Sequence, residues 1–486
     1  MFRSLAVLIV IVLSACSSDS ATAPSQGHGI QFVSGNNVTD TADAVLAQPV
    51  VLIIHDSTGA LAPLGTVVRF LSVQNIVAEA FVKGLTDSSF NTLAIGTTDQ
   101  SGRTGAFIAL GPLARPARVI ISVPTLGITD TARFTVTPAS AANIIVGPAD
   151  TTLYTGKTYQ LTGRVSDQYG NVRNDSITWG APSGITVSRT GLVTTSTVGR
   201  YTITGTAGTK TVSDSVSVVP HGRIVAWQMA SSNIVAFDMD GSNMQTLAVN
   251  VPDGGIGVHP AWIPNTNTVI YATYNGTYEV LQTVTMTGTI APFFTTQPPN
   301  VSHEAEPQPS ADGSWVYFGA FDTRCSADLY CLYRARSDGS APQLLGNYVQ
   351  PEFMPLSPTP SPDGGKVAFV SDNSGIPSIS VLNVTTNTLS PWHIGGDHPS
   401  WSPDGTHIAY LPPFGTVPIS VMDSDGTNAR QVTPAGRLYP LGPIAWSPDG
   451  QWLIARGTTT LELINVQTGA ALPLVYASAM TSPSWK

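Results

Sequence analysis

Apolar positions along the chain come in short runs, many alternating with polar ones, and Gly, Pro, Asn or Asp separates one run from the next. Between residues 29 and 139 these runs include PVVLIIHD, TVVRFLSV, RTGAFIAL, ARVIISV and TARFTVTP. Short runs with a period of two make half-buried strands, and turn residues at this spacing predict a β-sandwich. Beyond residue 220 one phrase returns: HPAWIPNTNTVIYA (259–272), EPQPSADGSWVYFG (306–319), PTPSPDGGKVAFV (358–370), HPSWSPDGTHIAYL (398–411) and GPIAWSPDGQWLIA (442–455). The aspartates at 312, 363, 404 and 449 lie 51, 41 and 45 residues apart. Such a period, with about four short strands per unit, predicts propeller blades.

Within each copy, the Pro and Trp belong to a short inner strand, Ser-Pro-Asp-Gly makes a tight turn, and the following apolar run is the second strand. Third strands follow in VPISVMDSDG and TLELINVQTG, and Asp-Gly or Thr-Gly turns lead into a fourth. The ends complete the count. RIVAWQMASSNIVAFDMDGSNMQTLAVN, from Arg223, supplies outer strands without an inner one, and SPSWK at the end of the sequence supplies an inner strand alone. Together they make a sixth blade, which closes the ring and removes exposed sheet edges.

The repeats resemble those of TolB-type propellers, a WD-like family, over residues 221–486. Residues 140–220 resemble the bacterial Ig-like domains of group 2 through Leu153, Gly156, Leu161, Asp167, Gly170, Trp179, Gly191-Leu192-Val193 and the strand from Gly199. That resemblance implies a second sandwich, with Trp179 as the plug between its sheets and Gly170 and Gly191 in turns. TTDQSGRTGAFIAL resembles a segment of invasin-type Ig-like repeats, with Asp99 and Gly102 in the turn, so residues 29–139 are expected to be an Ig-like sandwich. The expected fold is therefore all-β: two Ig-like β-sandwiches followed by a six-bladed β-propeller.

The N-terminus changes the expected location. A single cation, Arg3, precedes an apolar run from Leu5 to Leu13 that is too short to span a bilayer and fits a secretory signal over residues 1–15. Leu13-Ser14-Ala15-Cys16 resembles a bacterial lipobox, which implies cleavage before Cys16 and its lipidation. Ser17 then favours the outer membrane by the sorting rule of that family, and residues 16–28 read as a lipidated tether. Cys325 and Cys331 are the only other cysteines, and in an oxidising envelope they are expected to form a local disulfide. Charged residues make up 11% of the chain and the net charge is −9, which argues against a nucleic-acid partner.

No Gly-x-Ser-x-Gly elbow and no His-Glu-x-x-His occurs in the sequence. Similar propellers occur in prolyl oligopeptidases, whose separate hydrolase domain has no counterpart in these residues. The DMDGSN and DSDGTN segments look like calcium loops but sit where hairpin turns are needed and lack the distal ligands. Chemistry is instead expected just before the inner strands, at His259, His303, Glu304, Glu306, Glu352, Asp397, His398, Arg437 and Tyr439, since blade connections gather at one channel mouth. His259 and His398 hold the same repeat position, directly before a Pro. The candidate ligand-binding set is His259, Glu306, Asp397 and His398, with hydrogen bonding to neighbouring turns as the bland alternative. No cofactor and no metal is assigned, because two histidines from separate blades carry no fixed ligand spacing. The expected function is non-catalytic binding or scaffolding of an envelope protein, peptide or glycan, with the Ig-like domains as a stalk. The alternatives are a hydrolase or lyase acting on glycans or lactones at the propeller mouth, and a purely structural repeat protein.

Overall fold

The structure is a computed structural model that describes residues 29–486 except 256, 323, 326–329, 347–355, 374–375, 391–392 and 414–416. Cys16, the signal segment, the tether and Glu352 lie outside the described residues. All regular structure among the described residues is β-strand, so the chain is all-β. It divides into two compact units: Met1–Val146, Gly163–Thr178 and Gly205–Val212 form one, and Gly147–Thr162, Trp179–Thr204 and Ser213–Lys486 the other.

The first unit holds a sandwich of a four-stranded and a five-stranded sheet. The alternation seen in the sequence is what builds it. In Val67–Ser72 every second side chain is buried, and Phe70 meets Leu52, Ile108 and Ile121 in one apolar cluster. Asp99 takes the turn expected of it, accepting the amides of Ser101 and Arg103 while Gly102 adopts φ +65°. Residues 140–219 form three small sheets. In the second unit the cluster from this stretch is made by Leu161, Ile185, Val193, Ile203, Val216 and Val218. Trp179 lies against that cluster only partly buried, so aliphatic residues and not the indole fill the core. Gly170 and Gly191 have φ of +85° and +86°, as turn residues should.

From Arg223 onward the second unit carries six sheets of antiparallel strands, one per blade. Blade 1 runs from Ala261–Trp262 to Ile290–Pro292, blade 2 from Val301–Pro309 to Gln343–Leu344 and blade 3 from Leu356–Pro360 to Thr388–Leu389. Blade 4 runs from Asp397–Trp401 to Arg430–Gln431 and blade 5 from Ala445–Trp446 to Ala471–Ser478. Blade 6 combines Met480–Trp485 with Arg223–Gln228, Asn233–Asp238 and Gln245–Ala248, with Ile224 opposite Trp485 and Gln228 opposite Met480. Closure therefore joins the two ends of the propeller through backbone hydrogen bonds, as the truncated copy SPSWK requires.

The Ser-x-Asp-Gly turn is built identically in blades 2 to 5. The serine hydroxyl donates to the aspartate at 2.5 Å in all four, and the glycines have φ between +69° and +71°. In blade 4 the Gly405 amide donates to Ser402 O at 2.9 Å, which makes a type I turn followed by a left-handed residue. Asp240 and Asp425, in the calcium-like segments, each accept the amide and hydroxyl of the residue two places on, so both are turn formers.

Candidate functional site at the propeller channel

The position six residues before each turn aspartate is the geometric key to the channel. Glu306, Ser357 and His398 occupy it in blades 2, 3 and 4, and the same distance from the inner-strand Trp places His259 in blade 1 and Ser482 in blade 6. All five precede a proline, and all five have positive φ, between +43° and +51°. Register explains why. Asp397 pairs with Leu411 and Ser400 with Ala409, so His398 and Pro399 together oppose the single residue Tyr410. The same two-against-one count holds at Glu306-Pro307, Ser357-Pro358 and Ser482-Pro483. Each is a β-bulge, which re-aims a side chain, and proline fits because a bulge does not demand its missing amide hydrogen. Left-handed backbone at a non-glycine residue costs about 1–3 kcal/mol each. Blade 5 has Pro443 at this position, where the pyrrolidine ring forbids positive φ.

These equivalent positions bring residues from separate blades to one narrow cavity of about 40 Å³, lined among others by His259, Glu306, Ser357, His398 and Pro443. Glu306 holds one carboxylate oxygen against both the backbone amide and the hydroxyl of Ser357. Its other oxygen, Oε1, lies 3.4 Å from Nδ1 of His259. The His259 and His398 rings meet edge to face with centroids 6.3 Å apart, and Nδ1 of His398 lies 2.9 Å from Oδ1 of Asp397. That approach is too bent for a good hydrogen bond, so His398 Nδ1 is buried without a hydrogen-bonded partner and the pair is held by proximity of charge. A Cβ on Gly257 would come within 2.4 Å of Nε2 of His259, so glycine there makes room for the ring.

Burial and neighbouring charge separate the two imidazoles. Burial pushes the pKa of His259 below its ordinary value, and the Glu306 carboxylate only partly opposes this. Burial works in the same direction on His398, but Asp397 and Glu306 more than offset it and hold its pKa above the ordinary value. Burial raises Asp397, and His398 brings it back below the usual carboxylate range. The four residues of the candidate set are thus brought together. The others are committed elsewhere. Glu304 is fully buried, accepts from the Leu281 amide and from Gln297, and is pushed up to about 7 by its burial. His303 packs against Tyr278 and Phe321, and Arg437 and Tyr439 both donate to Glu462. Cys325 and Cys331 are joined by a disulfide.

Following the inner strands past Ser400 and Ile444, the channel reaches a larger cleft of about 460 Å³. Trp262, Trp401, Trp446 and Trp485, from four blades, line it together with eight prolines, and no charged residue is among the described residues that line it. Nε1 of Trp446 donates to Ser400 O at 2.9 Å, whereas the indole nitrogens of Trp262, Trp401 and Trp485 are buried without a partner. Sequence reasoning took these tryptophans as shape alone. The signal was present in their shared position, three residues after the bulge.

Comparison with known proteins bears on both halves of the chain. Residues 140–219 match the family model of the bacterial Ig-like domain (group 2). The propeller is TolB-like. Over 121 residues the chain is 31% identical to a protein TolB homolog of Chlorobium luteolum, covering 24% of this chain and 27% of that protein. Over 103 residues it is 36% identical to the Tol-Pal system protein TolB of Alcanivorax borkumensis, covering 19% of this chain and 23% of that protein. The chain thus spans about a quarter of the length of these curated relatives. The crystal structure of TolB from Acinetobacter baumannii aligns with a TM-score of 0.45 at 16% identity, over 64% of this chain and 82% of that one.

Proposed function

We propose that this chain is a non-catalytic, lipid-anchored protein of the bacterial cell envelope whose propeller binds a protein or peptide, with the Ig-like domains serving as a stalk. The observation that carries the reading is the uncharged cleft of tryptophan and proline faces at the wide end of the channel. Indole and pyrrolidine faces offer rigid apolar area at little entropic cost. A neutral lining in a chain of net charge −9 suits an uncharged apolar segment better than a phosphate. The similarity to TolB proteins agrees with an envelope role, and anchoring through Cys16 would keep the propeller at a membrane.

The test is affinity capture from envelope extract by the detergent-solubilised full chain, beside the Ala311→Arg variant. Ala311 is exposed at the rim of the cleft, so arginine there obstructs the opening without touching the core. Loss of a dominant captured protein in the variant supports the reading, and capture that is indifferent to the variant refutes it. The enzymatic alternative rests on the His259, Glu306 and His398 group, which has the residue types for acid-base work. Turnover of a glycan or lactone that is lost on Glu306→Gln would replace the binding reading.

A further inference from the structure

One nitrogen of His259, one nitrogen of His398 and one carboxylate oxygen of Glu306 all lie within 4.8 Å of one another. We propose that these three side chains form a binding site for one divalent transition-metal ion of the zinc class, set at the narrow end of the propeller channel. The chemistry of the donors selects the ion. Two imidazoles and one carboxylate suit zinc and its first-row neighbours, whereas calcium and magnesium seek cages of oxygen. Bonds of about 2.1 Å to a tetrahedral ion set the donors about 3.4 Å apart. His259 Nδ1 and Glu306 Oε1 already stand at 3.4 Å, so small ring rotations bring in His398.

The site has the supports that metal centres use. Each ligand sits in or just before the inner strand of a different blade with left-handed backbone, Glu306 and His398 in bulges, and each lines the channel cavity. Glu306 is fixed through its second oxygen by Ser357, which leaves Oε1 for the ion. Asp397 stands behind His398 with Oδ1 2.9 Å from Nδ1, and the ring rotation that brings His398 to the ion would make it the hydrogen-bonded outer carboxylate of a ligating imidazole. Two carboxylates face the cluster, and neither lysine nor arginine is among the described residues lining the cavity. The cavity of about 40 Å³ leaves a fourth position open to a water or a ligand atom. Bulge strain by itself does not mark the site, since Ser357 and Ser482 share it. The residue types placed on it do.

The proposal uses the same channel as the proposed binding function, but it is read on the purified chain without any partner. The full chain, purified in detergent without a polyhistidine tag and stripped with chelator, is titrated with Co²⁺ and followed by its visible absorption. It is then challenged with Zn²⁺, with Ca²⁺ and Mg²⁺ as controls. One equivalent of Co²⁺, displaced by Zn²⁺ and not by Ca²⁺ or Mg²⁺, is expected. Glu306→Gln, which preserves side-chain volume, and the pair His259→Ala with His398→Ala should each weaken binding at least tenfold. Asp397→Asn should weaken it by about 10- to 100-fold, and the surface variant His407→Ala should leave it unchanged. Thermal unfolding of each variant without metal checks that it is folded. Uptake below a tenth of an equivalent by the unaltered chain overturns the proposal, as does uptake that survives both Glu306→Gln and the double variant. Ala311→Arg should bind metal normally while losing its partner, so failure of one proposal is distinguishable from failure of the other.

Discussion

Replacing Ser402 by alanine tests whether the turn chemistry, and not the turn sequence alone, holds each blade. The Ser402 hydroxyl is buried, donates to Asp404 Oδ1 at 2.5 Å and accepts the His407 amide at 2.9 Å. Alanine removes a hydrogen bond to a charged acceptor, worth about 1.5–3 kcal/mol, and leaves the His407 amide at the strand start without a partner, which costs about 1–3 kcal/mol more. Asp404 is exposed to water and keeps the Thr406 amide at 3.0 Å and the Thr406 hydroxyl at 2.8 Å, so the charged contribution is reduced. The expected loss is about 2–4 kcal/mol. Urea unfolding followed by tryptophan fluorescence reads it well, because eight of the nine tryptophans lie in residues 221–486. The same bond has the same length at Ser310, Ser361 and Ser447, so alanine at each should lower the midpoint by a comparable amount. A loss below about 0.5 kcal/mol at Ser402, well under the cost of one hydrogen bond, would refute the account.

Two further outcomes follow from the same framework. Serine hydroxyls hold the carboxyls of Asp312, Asp363 and Asp404 below the usual carboxylate range, Asp312 at about 2. A lowered folded-state pKa contributes stability that is complete above the unfolded value, near 3.8, and fades as pH falls toward 2. The urea midpoint of the propeller should therefore drop between pH 4 and pH 2, with a shallower slope in Asp312→Asn; a flat profile contradicts this. Gly469, at φ +68°, closes a turn of blade 5 so near blade 4 that a Cβ would stand 2.2 Å from Val432 O. Gly469→Ala should cost roughly 2–4 kcal/mol from strain and overpacking together, whereas Gly436→Ala, at φ +95° in open space, should pay for strain alone; equal losses in urea unfolding would deny the inter-blade contact.

Blade number and closure were legible because spacing survives where motif does not. IPNTN in blade 1 has no Asp-Gly and blade 2 has Pro309 in place of tryptophan, yet both blades form, since an apolar second strand such as Val269 to Ala272 still pairs with its neighbours. Trp179 was misjudged for a physical reason. A large aromatic is the best single guess for a sandwich core, but here Ile203, Val216 and Val218 fill the space and leave the indole at its margin. His259 and His398 could be picked out as equivalent because both precede proline. Glu306 was drawn from its position near an inner strand, and its equivalence to them went unseen, as did that of Ser357 and Ser482. A bulge is an event of register, in which two residues oppose one, and the partner strand that defines it is remote from the X-Pro pair in any reading of residue types.

The opposed ends of the inner strands divide shape from chemistry. At one end the serine, aspartate and glycine of the turn are spent on one another, with the hydroxyl, carboxylate and amides all bonded within the loop. Such a turn has to repeat, because each element of it satisfies another, and this is why the repeat is conspicuous in the sequence. At the other end, where blades 2, 3, 4 and 6 bulge, only backbone geometry is fixed, and the residue at the equivalent position is His, Glu, Ser, His, Pro or Ser from blade 1 to blade 6. Variation is tolerated there because the side chain meets the channel and not the ladder. A search for repeated motifs therefore finds the scaffold and passes over the site, whereas the unlike residues at the like position are the ones whose chemistry differs from blade to blade. Exchanging His259 for serine, the residue of blades 3 and 6, should leave the fold and its urea midpoint within about 1 kcal/mol of the parent, while removing one of the three donors at the narrow end of the channel.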